Sequence, residues 1–248
     1  MLAFRLLRHA LWQLWGNRVA TLRLSLVPGL VWLAFGAGPM LVFGEPQLRV
    51  AGDDAAVLVA VGLLAMVLYV VMAVAWHRHV LLDEPARLRA AGRGRQVLGY
   101  LGRVLLIMLA LVPALIGAIL LMHLLVTIAI QSGGLPIWLQ AIASVVGVVL
   151  TALMLRLLTA LPGASVRHPR PFGAAWAATK GRVPTFLLLA VVVVVGQTLL
   201  PHAISIVATM SITLAVLLQV LLSWLGALIM LSLITTLWGH FVEGRALR

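Results

Sequence analysis

The segment AWHRHVLLDEPARLRAAGRGRQ, residues 75–96, concentrates charge in a chain that is otherwise almost free of it. Five arginines, two histidines and an adjacent Asp-Glu pair lie within these 22 residues, although only 10% of the 248 residues are charged. Apolar runs precede and follow the segment. A basic stretch between two such runs is typical of a loop that joins membrane-spanning helices and stays on the cytoplasmic side.

The composition predicts an all-α polytopic membrane protein, with residues 1–248 forming a single six-helix membrane domain. Apolar residues make up 63% of the chain, against roughly 45–50% in soluble domains. A spanning helix needs about 20 apolar residues. Helices are expected rather than strands, because backbone groups in lipid must be paired within their own segment and the runs lack barrel-type alternation. A turn is expected near Pro201-His202, and the predicted spans are 24–43, 55–76, 104–127, 136–155, 184–200 and 206–238.

The distribution of cations predicts the orientation of these spans. Seventeen of the 18 Lys and Arg residues fall before the first span, after the sixth, or in the second and fourth loops, and Arg49 is the exception. The positive-inside rule makes that side cytoplasmic, with both termini inside and the chain in a bacterial inner membrane.

Basic residues on the cytoplasmic side also attract anionic lipid headgroups, at about 1 kcal/mol per cation. Membrane lipids are therefore the expected partners, together with a protein of a membrane complex, and nucleic acid is not. The candidate contacts with lipid headgroups or a partner are Arg5, Arg8, Arg18, Arg78, Arg87, Arg89, Arg93, Arg95, Arg103, Lys180, Arg182, Trp12 and Trp176.

An internal similarity predicts three repeats, each an interfacial helix followed by a helical hairpin. Residues 10–27 align without gaps to 174–191 with seven identities, and 102–115 matches 17–30 more faintly. The repeats would cover 1–77, 86–161 and 167–240. Parallel repeats of this kind are related by an axis along the membrane normal. Arg18, Arg103 and Arg182 would then each begin an outward helix.

The first segment is predicted to be an interfacial helix, and a shorter one is expected around Phe172 and Trp176. In the first segment one face is apolar and another carries arginines. Such a helix lies in the headgroup plane with its apolar face towards the acyl chains. The residues of that apolar face are Phe4, Leu7, Leu11, Leu14 and Trp15.

The segments AWHRHVLLDEP and PFGAAWAATKGRVPTFLLL carry a family resemblance. The chain resembles uncharacterised bacterial six-span inner-membrane proteins, which are related to the membrane domain of some glycerophosphodiester phosphodiesterases and to YciC-like proteins. The resemblance implies architecture and location and transfers no chemistry, because the phosphodiesterase domain is missing. The residues that carry it are Trp76, His77, Arg78, Leu82, Glu84, Pro85, Phe172, Ala175, Trp176, Thr179, Gly181 and Arg182.

The sequence predicts no catalytic, cofactor or metal site, so none is assigned. No acid falls inside a predicted span, where proton-coupled transporters keep one. The sharper alternatives are an inner-leaflet metal site among His9, His77, His79, His168 and His240, a haem between His123 and His202, and a Ser165–His240 nucleophile pair. The pair Asp83-Glu84 is expected to form an ion pair with Arg78 or Arg87, or to dock a basic partner.

Three functions remain open at this point. The absence of mid-membrane charge favours a non-enzymatic scaffold, assembly factor or accessory subunit of a membrane complex. The alternative is a lipid-handling or small-amphiphile transport protein with a cavity on the repeat axis. An enzyme acting on a lipid is the third.

Overall fold

The computed structural model describes residues 1–43, 53–88, 94–131 and 137–247, and these ranges are helical without a strand. The all-α class is confirmed. The bounds are α1 Leu2–Gly16, α2 Arg18–Phe43, α3 Asp53–Leu82, α4 Gly94–Gln131, α5 Ile137–Leu158, α6 Leu161–Ser165, α7 Pro171–Ala178, α8 Val183–Ala208 and α9 Ile212–Phe241.

Six helices are long and apolar enough to cross a membrane, as predicted. Their spanning segments are Arg18–Gly38, Val59–Leu82, Gly94–Ile130, Ala141–Ser165, Val183–Ala208 and Ile212–Phe241. The 38 residues of α4 correspond to about 57 Å at 1.5 Å per residue, well beyond the roughly 30 Å of a hydrocarbon core. One end of α4 therefore has to extend out of the hydrocarbon.

The prediction of a turn near Pro201-His202 was wrong. Helix α8 continues through Pro201 to Ala208, and the chain reverses at residues 209–211. There the Ser211 hydroxyl accepts a hydrogen bond of 3.2 Å from the backbone N–H of Leu214 and so caps α9. A proline inside a membrane helix is tolerated more readily than a helix end within lipid, where freed backbone groups have no water to bind.

The six long helices form three hairpins packed in a closed order. The hairpins are α2/α3, α4/α5 and α8/α9, and they meet through α3 against α4, α5 against α8, and α9 against α2. Helix α9 also contacts α3 inside this ring. The division into three repeats stays a prediction.

The second predicted repeat differs from the others in one respect. Short helices precede α2 and α8, whereas α4 runs unbroken from Gly94. Arg103 consequently lies in the tenth position of a helix, so the expectation that it begins one, like Arg18 and Arg182, was wrong. Gly102, a residue type that often occupies helix ends, directly precedes Arg103, yet α4 continues through it.

Small residues bring α2 against α9. A Cβ added at Gly29 would lie 2.8 Å from Nε1 of Trp224, and one at Gly36 would lie 2.7 Å from Cγ2 of Val220. Gly-sized positions allow such close approach between membrane helices. The Trp224 ring then packs 6.1 Å from Trp32 and 6.2 Å from Tyr69, centroid to centroid.

The densest packing lies at one end of the bundle, which we call the basic end. Residues 70–77 of α3, 161–165 of α6 and 231–239 of α9 are buried almost without interruption. The second and fourth loops, in which many of the arginines fall, join the long helices at this end. In contrast, only 6% of the α4 spanning window is buried. The fold is therefore most specific where the chain leaves the hydrocarbon.

Helix α1 packs onto the basic end through a face that the sequence analysis did not identify. Ala3, Leu6 and Ala10 are buried against α8 and α9. The hydroxyl of Ser232 donates to the carbonyl of Ala10 at 2.8 Å. The predicted apolar face is left mostly outward, with Phe4, Leu11 and Trp15 exposed and Leu7 and Leu14 half-buried.

Replacing Gly163 by Ala should destabilise the basic end. Its Cβ would lie 2.6 Å from the Trp238 ring atom Cζ3 and 2.8 Å from Cβ of Pro171. Overpacking of this kind costs about 1–3 kcal/mol. Thermal melting in detergent should show a lower midpoint for G163A. The matched control is Gly173→Ala, because a Cβ at Gly173 has open space. Equal midpoints for the two variants would contradict this packing.

Candidate functional site

The end of α3 is fastened to α6 by one arginine. Arg78 pairs with Glu84 through its Nε, which lies 3.0 Å from Oε2, and through a second, shorter contact with Oε1. Its Nη1 donates to the carbonyl of Ser165 at 2.8 Å. The expected pairing of the Asp-Glu dipeptide is confirmed for Glu84. Arg78 is therefore a structural clamp with little capacity left for a lipid phosphate.

The chain then makes a strained turn after α6. Arg167 has φ 61°, in the left-handed region that costs a non-glycine residue about 1–3 kcal/mol and recurs at ligand sites. The N–H of His168 donates to the carbonyl of Gly163 at 2.8 Å. The His168 ring packs edge-on against Trp238, with 5.4 Å between centroids. This turn holds Arg167 and His168 beside the start of α4.

The first turns of α4 supply the opposite wall. Arg95, Gly99 and Arg103 follow each other at four-residue intervals and lie on one side of the helix. Nη1 of Arg103 donates to the carbonyl of Gly99 at 2.8 Å, which holds the guanidinium along the helix. Gln96 lies beside them with 6% of its surface exposed.

Together these two elements enclose a pocket of about 330 Å³, which we call the basic pocket. No acidic residue is among the described residues that line it. Planar guanidinium groups are well suited to phosphate, since they donate two parallel hydrogen bonds. The arrangement can hold an anion of headgroup size. The lining residues are Arg95, Gln96, Gly99, Arg103, Ala164, Arg167, His168 and Pro169.

The structure brings together only two of the predicted lipid contacts, Arg95 and Arg103. Trp12 lines a different cleft. Arg89 and Arg93 lie outside the described residues. The remaining predicted cations are exposed on the surface and do not line the basic pocket, and they are Arg5, Arg8, Arg18, Arg87, Lys180 and Arg182.

Trp176 has a partner that the sequence analysis missed. The guanidinium carbon of Arg156 lies 3.6 Å from the centroid of the Trp176 ring. Nε of Arg156 also donates to the Thr179 hydroxyl at 2.9 Å. The arginine stacked on Trp176 comes from α5. Arg156 and Trp176 are 20 positions apart in the sequence, and no sequence pattern indicated that they are in contact.

Two of the alternatives that involve histidines, the metal site that includes His77 and the Ser165–His240 pair, can be compared with the observed contacts. His77 is fully buried; its Nδ1 lies 2.8 Å from the Thr235 hydroxyl and its Nε2 lies 3.3 Å from that of Tyr100. Ser165 is also buried, and its hydroxyl donates to the carbonyl of Pro162 at 2.7 Å rather than to His240. Among the described residues, no three His, Cys, Asp or Glu side chains are grouped to hold a metal ion.

Comparison with family models, with curated proteins and with solved structures gave no match to this chain.

Replacing Arg78 by Lys should lower stability, although the charge is kept. Lysine cannot contact Glu84 through two nitrogens and reach the Ser165 carbonyl at once. Losing such partly buried, charge-assisted bonds costs about 1.5–3 kcal/mol. Thermal melting in detergent should show a fall of several degrees for R78K. Arg87→Lys, on the exposed part of the same loop, should melt like the unmodified protein. An equal fall of the melting midpoint in both variants would show that the contacts of Arg78 contribute no particular stability.

Proposed function

We propose that this protein is a multi-pass protein of the bacterial inner membrane that recognises the phosphate of anionic lipids at its cytoplasmic end. The observation that carries the proposal is the basic pocket, where three arginines and a histidine converge from α4 and from the turn after α6. An anion held there would be contacted from two elements that are about 70 residues apart in sequence. Surface arginines on one flexible loop offer no such enclosure.

The position of the pocket supports a lipid rather than a soluble anion as ligand. Arg95 and Arg103 lie in the part of α4 that the charge distribution places at the inner headgroup layer. Exposed apolar side chains follow directly along the helix, among them Leu105 and Leu106, which are 58% and 57% exposed. A lipid could therefore place its phosphate in the pocket and its acyl chains along α4.

This proposal follows the lipid-handling alternative of the sequence analysis. A role as scaffold, assembly factor or accessory subunit is compatible with it. That role would use the outward face of α1, where Trp12 is 61% and Trp15 67% exposed. Membership of the six-span family named above stays a prediction.

Removing the pocket's cations should weaken retention of anionic lipid. Each charge-assisted hydrogen bond to phosphate is worth roughly 1.5–3 kcal/mol, so the pair Arg95→Gln and Arg103→Gln should weaken binding of cardiolipin or phosphatidylglycerol more than about tenfold. Lipid titrations read by native mass spectrometry measure this directly.

The control removes the same charge elsewhere at the same end. Arg5→Gln with Arg8→Gln changes two exposed cations of α1 that do not line the pocket. We expect less than about a threefold loss, because diffuse attraction is screened beyond about 8–10 Å. If both pairs lose lipid equally, the cations act only through net charge and the pocket is not a headgroup site.

The orientation can be tested at two described turns. Six crossings place both termini on one side, and the positive-inside rule makes it the cytoplasm. A reporter inserted after Arg87 should read as cytoplasmic, and one inserted after Met210, which is 85% exposed between α8 and α9, should read as periplasmic. The same reading at both sites would contradict the orientation.

A further inference from the structure

A second cleft lies at the basic end, between α1, the end of α3, the end of α9 and the residues that follow α9. Its volume is about 840 Å³, within the roughly 300–1,000 Å³ of small-molecule sites. It shares no lining residue with the basic pocket. We call it the acceptor cleft, defined by Trp12, His79, Asp83, Thr236 and His240.

Backbone carbonyls fix the tautomers of two of its histidines. Nδ1 of His79 lies 2.7 Å from the carbonyl oxygen of Glu84, and Nδ1 of His240 lies 3.1 Å from that of Arg245. A carbonyl oxygen only accepts, so each Nδ1 carries the hydrogen and each neutral ring keeps its lone pair on Nε2. Neither Nε2 has a hydrogen-bond partner among the described residues. The cleft therefore contains two imidazole acceptors.

Two further groups add acceptor capacity. Asp83 is exposed and makes no ion pair within the described residues, although its neighbour Glu84 does. The Thr236 hydroxyl is buried and has no hydrogen-bond partner in the described part of the chain, which is uncommon for a buried polar atom. Asp83 also directly follows the last residue of α3 and has φ 53°, the left-handed conformation in which helices commonly end.

The cation that lines the cleft is already engaged. Nε of Arg245 lies 2.7 Å from Oε2 of Glu243, and its Nη1 and Nη2 donate to the carbonyls of Val80 at 3.2 Å and Leu81 at 2.6 Å. It caps the end of α3 and neutralises Glu243. Within the described part of the chain, the Asp83 carboxylate therefore has no counterion.

We propose that the acceptor cleft binds a primary ammonium group. Such a group brings one positive charge and three N–H donors, which match the Asp83 carboxylate and the two Nε2 lone pairs. The exposed Trp12 ring on the same cleft favours a cation over its face. An anion would be repelled by the Asp83 carboxylate. The ammonium could come from an ethanolamine lipid headgroup or from a soluble polyamine.

This inference does not depend on the basic pocket. It rests on different residues and calls for the opposite ligand charge, so either site can fail while the other stands.

The experiment compares amines on the unmodified protein and on three single-residue variants. Phosphatidylethanolamine and phosphatidylcholine of identical acyl chains are titrated into the detergent-solubilised protein, in competition, with native mass spectrometry as the readout; spermidine is titrated separately. We expect the primary amine to bind at least about tenfold more tightly than the quaternary one, which has no N–H to donate. Asp83→Asn should remove most of that preference, because asparagine tolerates the left-handed backbone but carries no charge.

The matched control is His202→Gln. His202 makes the same type of Nδ1 contact, 2.7 Å to the carbonyl of Thr198, but lies on α8 away from the cleft. It should leave amine binding unchanged, whereas His240→Gln should weaken it. Spermidine binding that depends on Asp83, without an ethanolamine preference, would make the ligand soluble and keep the proposal. Equal retention of both lipids with no Asp83-dependent spermidine binding would overturn it, and this comparison needs no variant to fold beyond D83N.

Discussion

The cost of placing charge in hydrocarbon determines where everything else in this protein lies. An ionised side chain in the centre of a bilayer costs at least about 2.5–3.5 kcal/mol, and the chain responds by keeping its cations at helix ends. At the helix ends these cations can then contact carboxylates and backbone carbonyls. Arg78 can pair with Glu84, and Arg245 can cap α3, because nearby water lowers the free-energy cost of keeping these side chains ionised. The buried core at the basic end is a consequence of the same constraint.

Features that depend on local composition could be predicted from the sequence, and features that depend on distant contacts could not. The six spans were predictable because each run of apolar residues is its own signal, and the Arg78–Glu84 pair was predictable because six residues separate its members. The turn after α8 was misplaced because Pro201 looks like a helix end in water, while lipid favours continuing the helix to the Ser211 cap. Only part of the basic pocket was predicted from the sequence. Arg95 and Arg103 were predicted as lipid contacts, whereas no sequence pattern near Arg167 or His168 indicates that these two residues face α4.

The two candidate sites have complementary chemistry at one end of the bundle. The basic pocket presents donors and positive charge, and the acceptor cleft presents lone pairs and a carboxylate. The clamp residue Arg78 links the loop that carries Asp83 to the α6 carbonyl just before Arg167. Phosphate and ammonium, the groups proposed as ligands of the two sites, are also the two charged groups of an ethanolamine lipid headgroup.

The cap that Arg245 places on α3 has a consequence for how the protein is made. The carbonyls of Val80 and Leu81 receive their partner from a residue about 164 positions later in the chain. At about 5–20 residues per second, synthesis takes roughly 10–30 s to cover that distance. During that interval this cap on the end of α3 cannot form, because Arg245 has not yet been synthesised. Closure of this end of the bundle therefore has to wait until synthesis has passed Arg245, after all six spanning helices have been made.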